Sequence, residues 1–212
     1  MTKKIKVVGL GGSLAVSSSS LAALKIALEG ATEGGASTEL LDLRELVLPI
    51  YVPGVDAPDS VRQFCEAVYE ADGLIWSSPL YHGTISGVFK NTLDWLELLG
   101  DREPSYLTDK VVGLISTAGG AQGLQAVNTM EFIVRALRGW AVPLVIPIQQ
   151  AWRVFDDEGN VVDQRIAEQL RSLGREVARA ARQFKGTLLT TPDANRAEAQ
   201  LQPISEEEVA SP

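Results

Sequence analysis

The sequence predicts a doubly wound α/β domain, on three observations. Five short apolar runs (Ile5–Leu10, Thr38–Leu43, Gly73–Ser77, Val111–Thr117 and Ala141–Ile148) have the length of strands and are set off by Gly, Pro or Ser. Segments with helical apolar spacing alternate with them. Stretches rich in Gly, Ser or Thr follow the first, third and fourth runs, at the strand ends where open sheets of this class bind ligands.

Taken in order, Ile5–Leu10 is continuous rather than alternating, as a strand buried on both faces requires. After Ser17–Ser20, Leu21, Leu24 and Leu28 share one helical face, and Gly30, Gly34 and Gly35 close that helix. Thr38–Leu43 is the second strand, and Pro49, Pro53 and Pro58 mark a long loop. Asp59–Ala71 reads as a helix with Val61, Phe64, Cys65 and Val68 inward. Gly73–Ser77 is the third strand, Ser78–Ser86 a loop, and Val88–Leu99 a helix apolar over a wide arc. Val111–Thr117 is the fourth strand, and Met130, Ile133, Val134 and Leu137 fit the next helix. In Ala141–Ile148 the prolines at 143 and 147 argue for a sheet edge. Asp156–Asn160 is a turn, and Ile166, Leu170, Leu173 and Val177 define a last helix reaching about Lys185.

The 212 residues fit one domain, residues 1–186, followed by a tail at 187–212 of different composition. The tail has five acidic residues against one arginine, half of the chain's net charge of −8, and is expected to be flexible or to pack as an arm on a partner subunit. The acidic balance argues against nucleic acid as a partner. One cysteine and one histidine supply too few soft ligands for a structural zinc site. Lys3, Lys4 and Lys6 before Val7–Leu10 mimic an export signal, but the apolar run is short and broken by glycines, so a cytoplasmic location is expected. No run approaches the ~18 apolar residues of a membrane span.

The first loop, Gly11-Gly12-Ser13-Leu14-Ala15-Val16-Ser17-Ser18-Ser19-Ser20, joins a strand to a helix N-terminus. Free N–H groups, hydroxyls and the positive helix end suit a phosphate there. A helix cap needs only one of these serines. The Gly-Lys-Ser/Thr phosphate motif is absent, and the dinucleotide pattern of glycines fails at Leu14, so a monophosphate fits better than a pyrophosphate. The second loop, Ser77–Gly87, contains Pro79-Leu80-Tyr81-His82-Gly83-Thr84 and runs into Lys90-Asn91-Thr92-Leu93-Asp94-Trp95. The third is Ala118-Gly119-Gly120-Ala121-Gln122-Gly123, with Asn128 beyond it.

These three stretches resemble the NADPH-dependent FMN reductase family of flavodoxin-like proteins. Its members carry Gly-Ser-x-Arg-x-x-Ser in the first loop and Pro-x-Tyr-x-Gly-(Ser/Thr)-x-x-Gly…Lys-Asn-x-x-Asp-Trp in the second. The likeness spans about residues 5–150, and Ala126-Val127-Asn128 with the 156–160 turn leans toward the arsenical-resistance branch. The resemblance implies a five-stranded parallel sheet in the order 2-1-3-4-5 between two helical layers, with FMN as cofactor and NADPH or NADH as co-substrate. It assigns Ser13, Ser18 and Ser20 to the FMN phosphate, and Pro79, Leu80, Tyr81, His82, Gly83 and Thr84 to the ring and ribityl chain. Gly119, Gly120 and Gln122 fall at the ring's other edge. It also implies a homodimer or homotetramer acting on a small acceptor such as a flavin, quinone, azo dye or chromate. One departure stands out: the family's loop arginine is Ala15, which removes a strong phosphate partner and leaves FMN exchangeable or its cation supplied from elsewhere.

Flavin carries the hydride chemistry in such enzymes, so no side chain is assigned as catalytic acid or base. His82 is expected in flavin contact or a loop hydrogen bond, Cys65 in the core, and Lys90 and Asp94 in a surface pair. Trp95, Leu96, Leu98 and Leu99 suit a core or a subunit interface. A flavodoxin-like electron carrier and a dinucleotide sensor without turnover are the competing functions. NADPH oxidation by the purified protein separates the enzyme from the carrier.

Overall fold

The computed structural model describes residues 4–188. Strands β1 (Lys6–Gly11), β2 (Ser37–Asp42), β3 (Gly73–Tyr81), β5 (Val111–Thr117) and β6 (Trp140–Ile148) form a parallel sheet in the order β2-β1-β3-β5-β6, with the short β4 (Thr84–Ile85) antiparallel to β3. Without β4 this is the flavodoxin-like order, whose chain direction switches between β1 and β3.

The residues that make the sheet also sort its faces. Val8, Leu74 and Val112 lie in register, as do Leu10, Trp76 and Leu114, and all face one layer. That layer is α2 (Asp59–Glu70), α3 (Gly87–Asp94) and α4 (Gly123–Ala136), with Phe64, Phe89 and Met130 inward. Val7, Ile75 and Ile115 point the other way, against α1 (Ser19–Glu33) and α5 (Gln164–Leu188), with Leu24, Leu28, Leu173 and Val177. This alternation is the period of two that a pleated strand imposes. α1 and α5 cross with backbone in contact: a Cβ on Gly174 would stand 1.8 Å from the Ala27 carbonyl oxygen, and one on Gly30 2.1 Å from that of Arg171.

The structure departs from the sequence expectations in three places. β3 runs on to Tyr81, so most of the expected 78–86 loop is a β-hairpin and the sheet has six strands. β1 pairs with β3 only as far as Ser77, which leaves one side of the strand free where Pro79, lacking an N–H, can be tolerated. His82 and Gly83, at φ 50° and 85°, make a two-residue turn of the kind that suits strand twist. The expected 88–99 helix is α-helical only to Asp94 and continues as a 3-10 turn, Trp95–Leu99. Trp95, Leu96 and Leu99 are buried in the domain's own core, and only Leu98 is exposed, so the apolar arc is mostly consumed within the subunit. Finally, α5 runs to Leu188, past the expected domain boundary, while positions 189–212 of the tail lie outside the described residues.

Other expectations hold. β6 is an edge strand, and its register slips opposite Gly113, where Pro143 falls. Cys65 is buried, its thiol donates to the Trp95 carbonyl at 3.3 Å, and burial pushes its pKa up to about 12. Lys90 and Asp94 form an ion pair.

Candidate functional site

The loops after β1, β3 and β5 meet at the carboxyl ends of these strands. Buried serines lock them together. Ser77 Oγ on β3 donates to the Ser20 carbonyl in the first turn of α1 at 2.7 Å. Ser86 Oγ donates to the Gly12 carbonyl at 2.5 Å and accepts the Phe89 N–H at 3.2 Å, capping α3. Ser116 Oγ on β5 donates to the Gly123 carbonyl at 2.6 Å, fixing the start of α4. Each hydroxyl is buried and satisfied, so these bonds hold the loops in one arrangement before any ligand arrives. Gly12 is required in this frame: a Cβ there would lie 2.9 Å from the Phe89 ring and 3.0 Å from the Ser77 carbonyl.

Between the loops lies a cleft of about 260 Å³. Of the residues expected in the site, Ser13, Ser18, Ser20, Pro79, Leu80, Tyr81 and Gly119 line it. His82, Gly83, Thr84, Gly120 and Gln122 do not. His82 and Gly83 form the hairpin turn, Thr84 Oγ1 shares a hydrogen bond with Thr129 of α4 at 3.3 Å, and the Gly120 carbonyl accepts the Gln150 N–H at 3.1 Å. Gln122 sits at the N-cap of α4 without a side-chain bond to it.

The serines divide their work. Ser18 Oγ accepts the Leu21 N–H at 3.2 Å and caps α1, and it shares a 3.0 Å hydrogen bond with Ser20 Oγ. Ser13 Oγ accepts the Ala15 N–H at 3.2 Å. Ser20 is only 1% exposed. Ser19, which also lines the cleft, has a hydroxyl without a hydrogen-bond partner among the described residues.

Sequence reasoning missed one wall. The 3-10 turn Ala151–Arg153 follows β6, and Ala151 and Trp152 line the cleft opposite the serine loop. The Ala151 N–H donates to the Ala118 carbonyl at 3.0 Å, pinning the turn to the third loop. Trp152 is 64% exposed and Tyr81 52%, so two large rings stand at the cleft with much of their surface uncovered. The available signal was positional: an aromatic–cation pair beyond the carboxyl end of a strand, on the edge that carries the other three loops.

The residues fit a flavin mononucleotide. The first N–H groups of a helix have no carbonyl one turn back to bond, and here the residues at that helix end, Ser19 and Ser20, line the cleft with other serines, as suits a phosphate. A Cβ on Gly119 or Gly120 would meet nothing within 4 Å, which leaves the third loop's backbone open to a planar ring. A larger cleft, of about 530 Å³, is lined by Asp72, Lys110 and Lys185 at the opposite end of the sheet. Its lysines are engaged: Lys185 holds Asp72, and Lys110 donates to the Tyr69 and Ala71 carbonyls at the end of α2.

The second half of the second-loop motif, Lys90–Trp95, has a structural task. Asn91 accepts the Tyr51 N–H at 2.8 Å and donates to the Pro49 carbonyl at 2.9 Å, and Trp95 Nε1 donates to the same carbonyl at 2.9 Å. This half thus anchors the loop after β2, while the first half, Pro79–Tyr81, lines the cleft.

Comparison with known proteins agrees with this geometry. A family model described as NADPH-dependent FMN reductase matches residues 5–153. NADPH-dependent FMN reductase ArsH of Acidithiobacillus ferrooxidans is 32% identical over 157 residues, 74% of this chain and 62% of that protein, so the chain spans under two thirds of it. NADPH:quinone oxidoreductase of Arabidopsis thaliana is 31% identical over 189 residues, 80% of this chain and 88% of that one. The arsenical-resistance branch and the quinone reductases thus resemble this chain about equally. FerB, a flavoenzyme NAD(P)H:(acceptor) oxidoreductase from Paracoccus denitrificans, shares the fold with a TM-score of 0.69 at 22% identity, over 85% of this chain and 98% of FerB. With the match covering all three site loops, the chain belongs to the NADPH-dependent FMN reductase family.

Proposed function

We propose that this protein is an NADPH-dependent reductase that binds FMN in the 260 Å³ cleft and passes electrons to a small acceptor such as a quinone, a free flavin or an azo dye. The observation that carries the reading is the convergence of the serine loop, the Pro79–Tyr81 strand end and the open backbone at Gly119 on one cleft at the β1/β3 switch point.

Bound FMN would supply the hydride-accepting chemistry. The chain's residues bind and orient it. The α1 N-terminus with Ser13, Ser19 and Ser20 holds the phosphate, and Ser18 keeps that helix end in place. Gly119 and Gly120 let main-chain N–H groups approach the ring edge, where donors stabilise charge that develops on reduction. Leu80, Tyr81 and Trp152 offer apolar surface at the cleft and exclude water. No side-chain acid or base is assigned to hydride transfer, and His82 keeps a structural place in the hairpin turn.

The exposed Leu124 and Phe132 of α4 support assembly into a homodimer or homotetramer, which light scattering would read directly. No helix among the described residues is long and apolar enough to cross a membrane, and the proposed use of NADPH supports a cytoplasmic location. The test is a turnover assay with NADPH, FMN and a panel of quinones, azo dyes and chromate. Acceptor-dependent NADPH oxidation supports the reading, and no oxidation with any acceptor contradicts it.

A further inference from the structure

The cleft is short of positive charge where a phosphate dianion of about −1.5 to −2 charges would sit. Ala15, at the position of the family's arginine, is one of its lining residues and contributes none. Four cations lie near the serine loop, and one of them, Arg171, is paired with Glu29 and Glu33. Arg44 donates to the Val16 carbonyl at 3.1 Å, but its fork is spent on Asp42. Lys25 lines a separate cleft of about 440 Å³, on the other side of the loop. The Arg153 backbone N–H donates to the Gln150 carbonyl at 2.7 Å, but its guanidinium has neither a carboxylate nor a hydrogen-bond partner among the described residues. Its guanidinium lies 4.6 Å from the centre of the Trp152 ring, and Trp152 lines the same cleft as Ala15 and Ser17–Ser20.

The segment bearing Arg153 abuts the loop. Ser17 Oγ donates to the Asp157 carbonyl at 3.4 Å, and Ala151 is pinned to Ala118. The acidic groups on the segment are Asp156, which is taken by Asn160, and Asp157 and Glu158, which have no ion pair among the described residues. Neither of these two carboxylates lines the FMN cleft, and Glu158 lines the separate 440 Å³ cleft instead.

We propose that Arg153, held over the Trp152 ring, supplies the phosphate cation that Ala15 lacks. Trp152 is then a positioning residue: cation–π contact limits the guanidinium's freedom, and a preorganised planar fork can bind phosphate oxygens in pairs. The inference rests on the FMN reading above. It moves the charge from the loop after β1 to the turn after β6.

The test compares FMN with riboflavin, which lacks the phosphate, by fluorescence quenching on titrating the apoprotein. Arg153→Ala is expected to weaken FMN about 10- to 100-fold, the value of a charge-assisted contact, and to leave riboflavin unchanged. Arg153→Lys should lie between, and Trp152→Ala should weaken FMN more than Trp152→Phe. Ala15→Arg should restore FMN affinity in the Arg153→Ala background. Lys25→Ala, the control, should not change it. Unchanged FMN affinity in Arg153→Ala overturns the proposal, as does equal loss of FMN and riboflavin, or a loss in Lys25→Ala alone. A wild-type protein that binds FMN no better than riboflavin overturns the phosphate site together with it. Wild-type preference for FMN that survives Arg153→Ala sinks this inference alone.

Discussion

Gly174→Ala adds one methyl group where two helices touch. The new Cβ would stand 1.8 Å from the Ala27 carbonyl oxygen and 2.5 Å from the Ala31 nitrogen, both backbone atoms that cannot rotate away. Bringing 1.8 Å up to the 3.4 Å of ordinary contact requires α1 and α5 to part by about 1.6 Å. A gap of only ~0.5–1 Å already forfeits a quarter to a half of the dispersion energy of the atoms facing it. Leu24, Leu28, Leu173 and Val177 all pack in this layer. The cost should therefore reach or pass the upper end of the ~1–3 kcal/mol typical of overpacking. In a domain of this size ~3 kcal/mol lowers Tm by roughly 6–12 °C. Thermal and urea melts read the effect. Gly186→Ala, in the same helix but with nothing within 4 Å of its Cβ, is the control and should be neutral or slightly stabilising. A Gly174→Ala protein that melts with wild type would show that the helices do not cross as closely as described. Because the first turn of α1 carries Ser19 and Ser20, the same variant should also bind FMN more weakly.

Gly119→Leu should behave in the opposite way: its Cβ has open space, so stability should change by less than ~0.5 kcal/mol while the side chain enters the cleft and blocks FMN, as paired melting and binding curves would show. Ser18→Ala combined with Ser20→Ala should raise the FMN dissociation constant tenfold or more, at ~1–3 kcal/mol per charge-assisted hydrogen bond. It should also cost about 1 kcal/mol of stability through the lost cap; unchanged affinity would remove Ser20, and the helix end that Ser18 caps, from the phosphate site. The Arg44 hydrogen bonds hold the Asp42 carboxyl below the usual carboxylate range. The stability this pair contributes is present above the unfolded carboxylate pKa, about 4, and is lost as pH falls through it toward the folded value. Asp42→Asn should therefore flatten the acid limb of stability against pH, and an unchanged limb would deny the pair that role.

Much of the fold was legible because burial on both faces leaves a simple trace. The continuous runs at 5–10 and 111–117 and the helical spacing of Leu21, Leu24 and Leu28 needed no tertiary information. The extension of β3 through Pro79 did not show, because proline argues against a strand unless one side is known to lack a partner. The change to a 3-10 turn at Trp95 was equally silent, since Trp95 and Leu96 are apolar in either geometry. In the site, the glycine and serine loops were visible as composition. The division of labour was not: whether a serine caps a helix, as Ser18 does, or keeps its hydroxyl free, as Ser19 does, depends on backbone direction. Trp152 escaped because one aromatic residue after a proline-bearing edge strand has no pattern of its own.

The most direct test of the account is the absorbance spectrum of the protein loaded with FMN, freed of excess and mixed with NADPH in the absence of oxygen. The account predicts retained flavin bands that bleach on addition of NADPH and return when a quinone is added. Flavin that is bound but stays oxidised, or a protein that neither retains FMN nor oxidises NADPH in its presence, would contradict it.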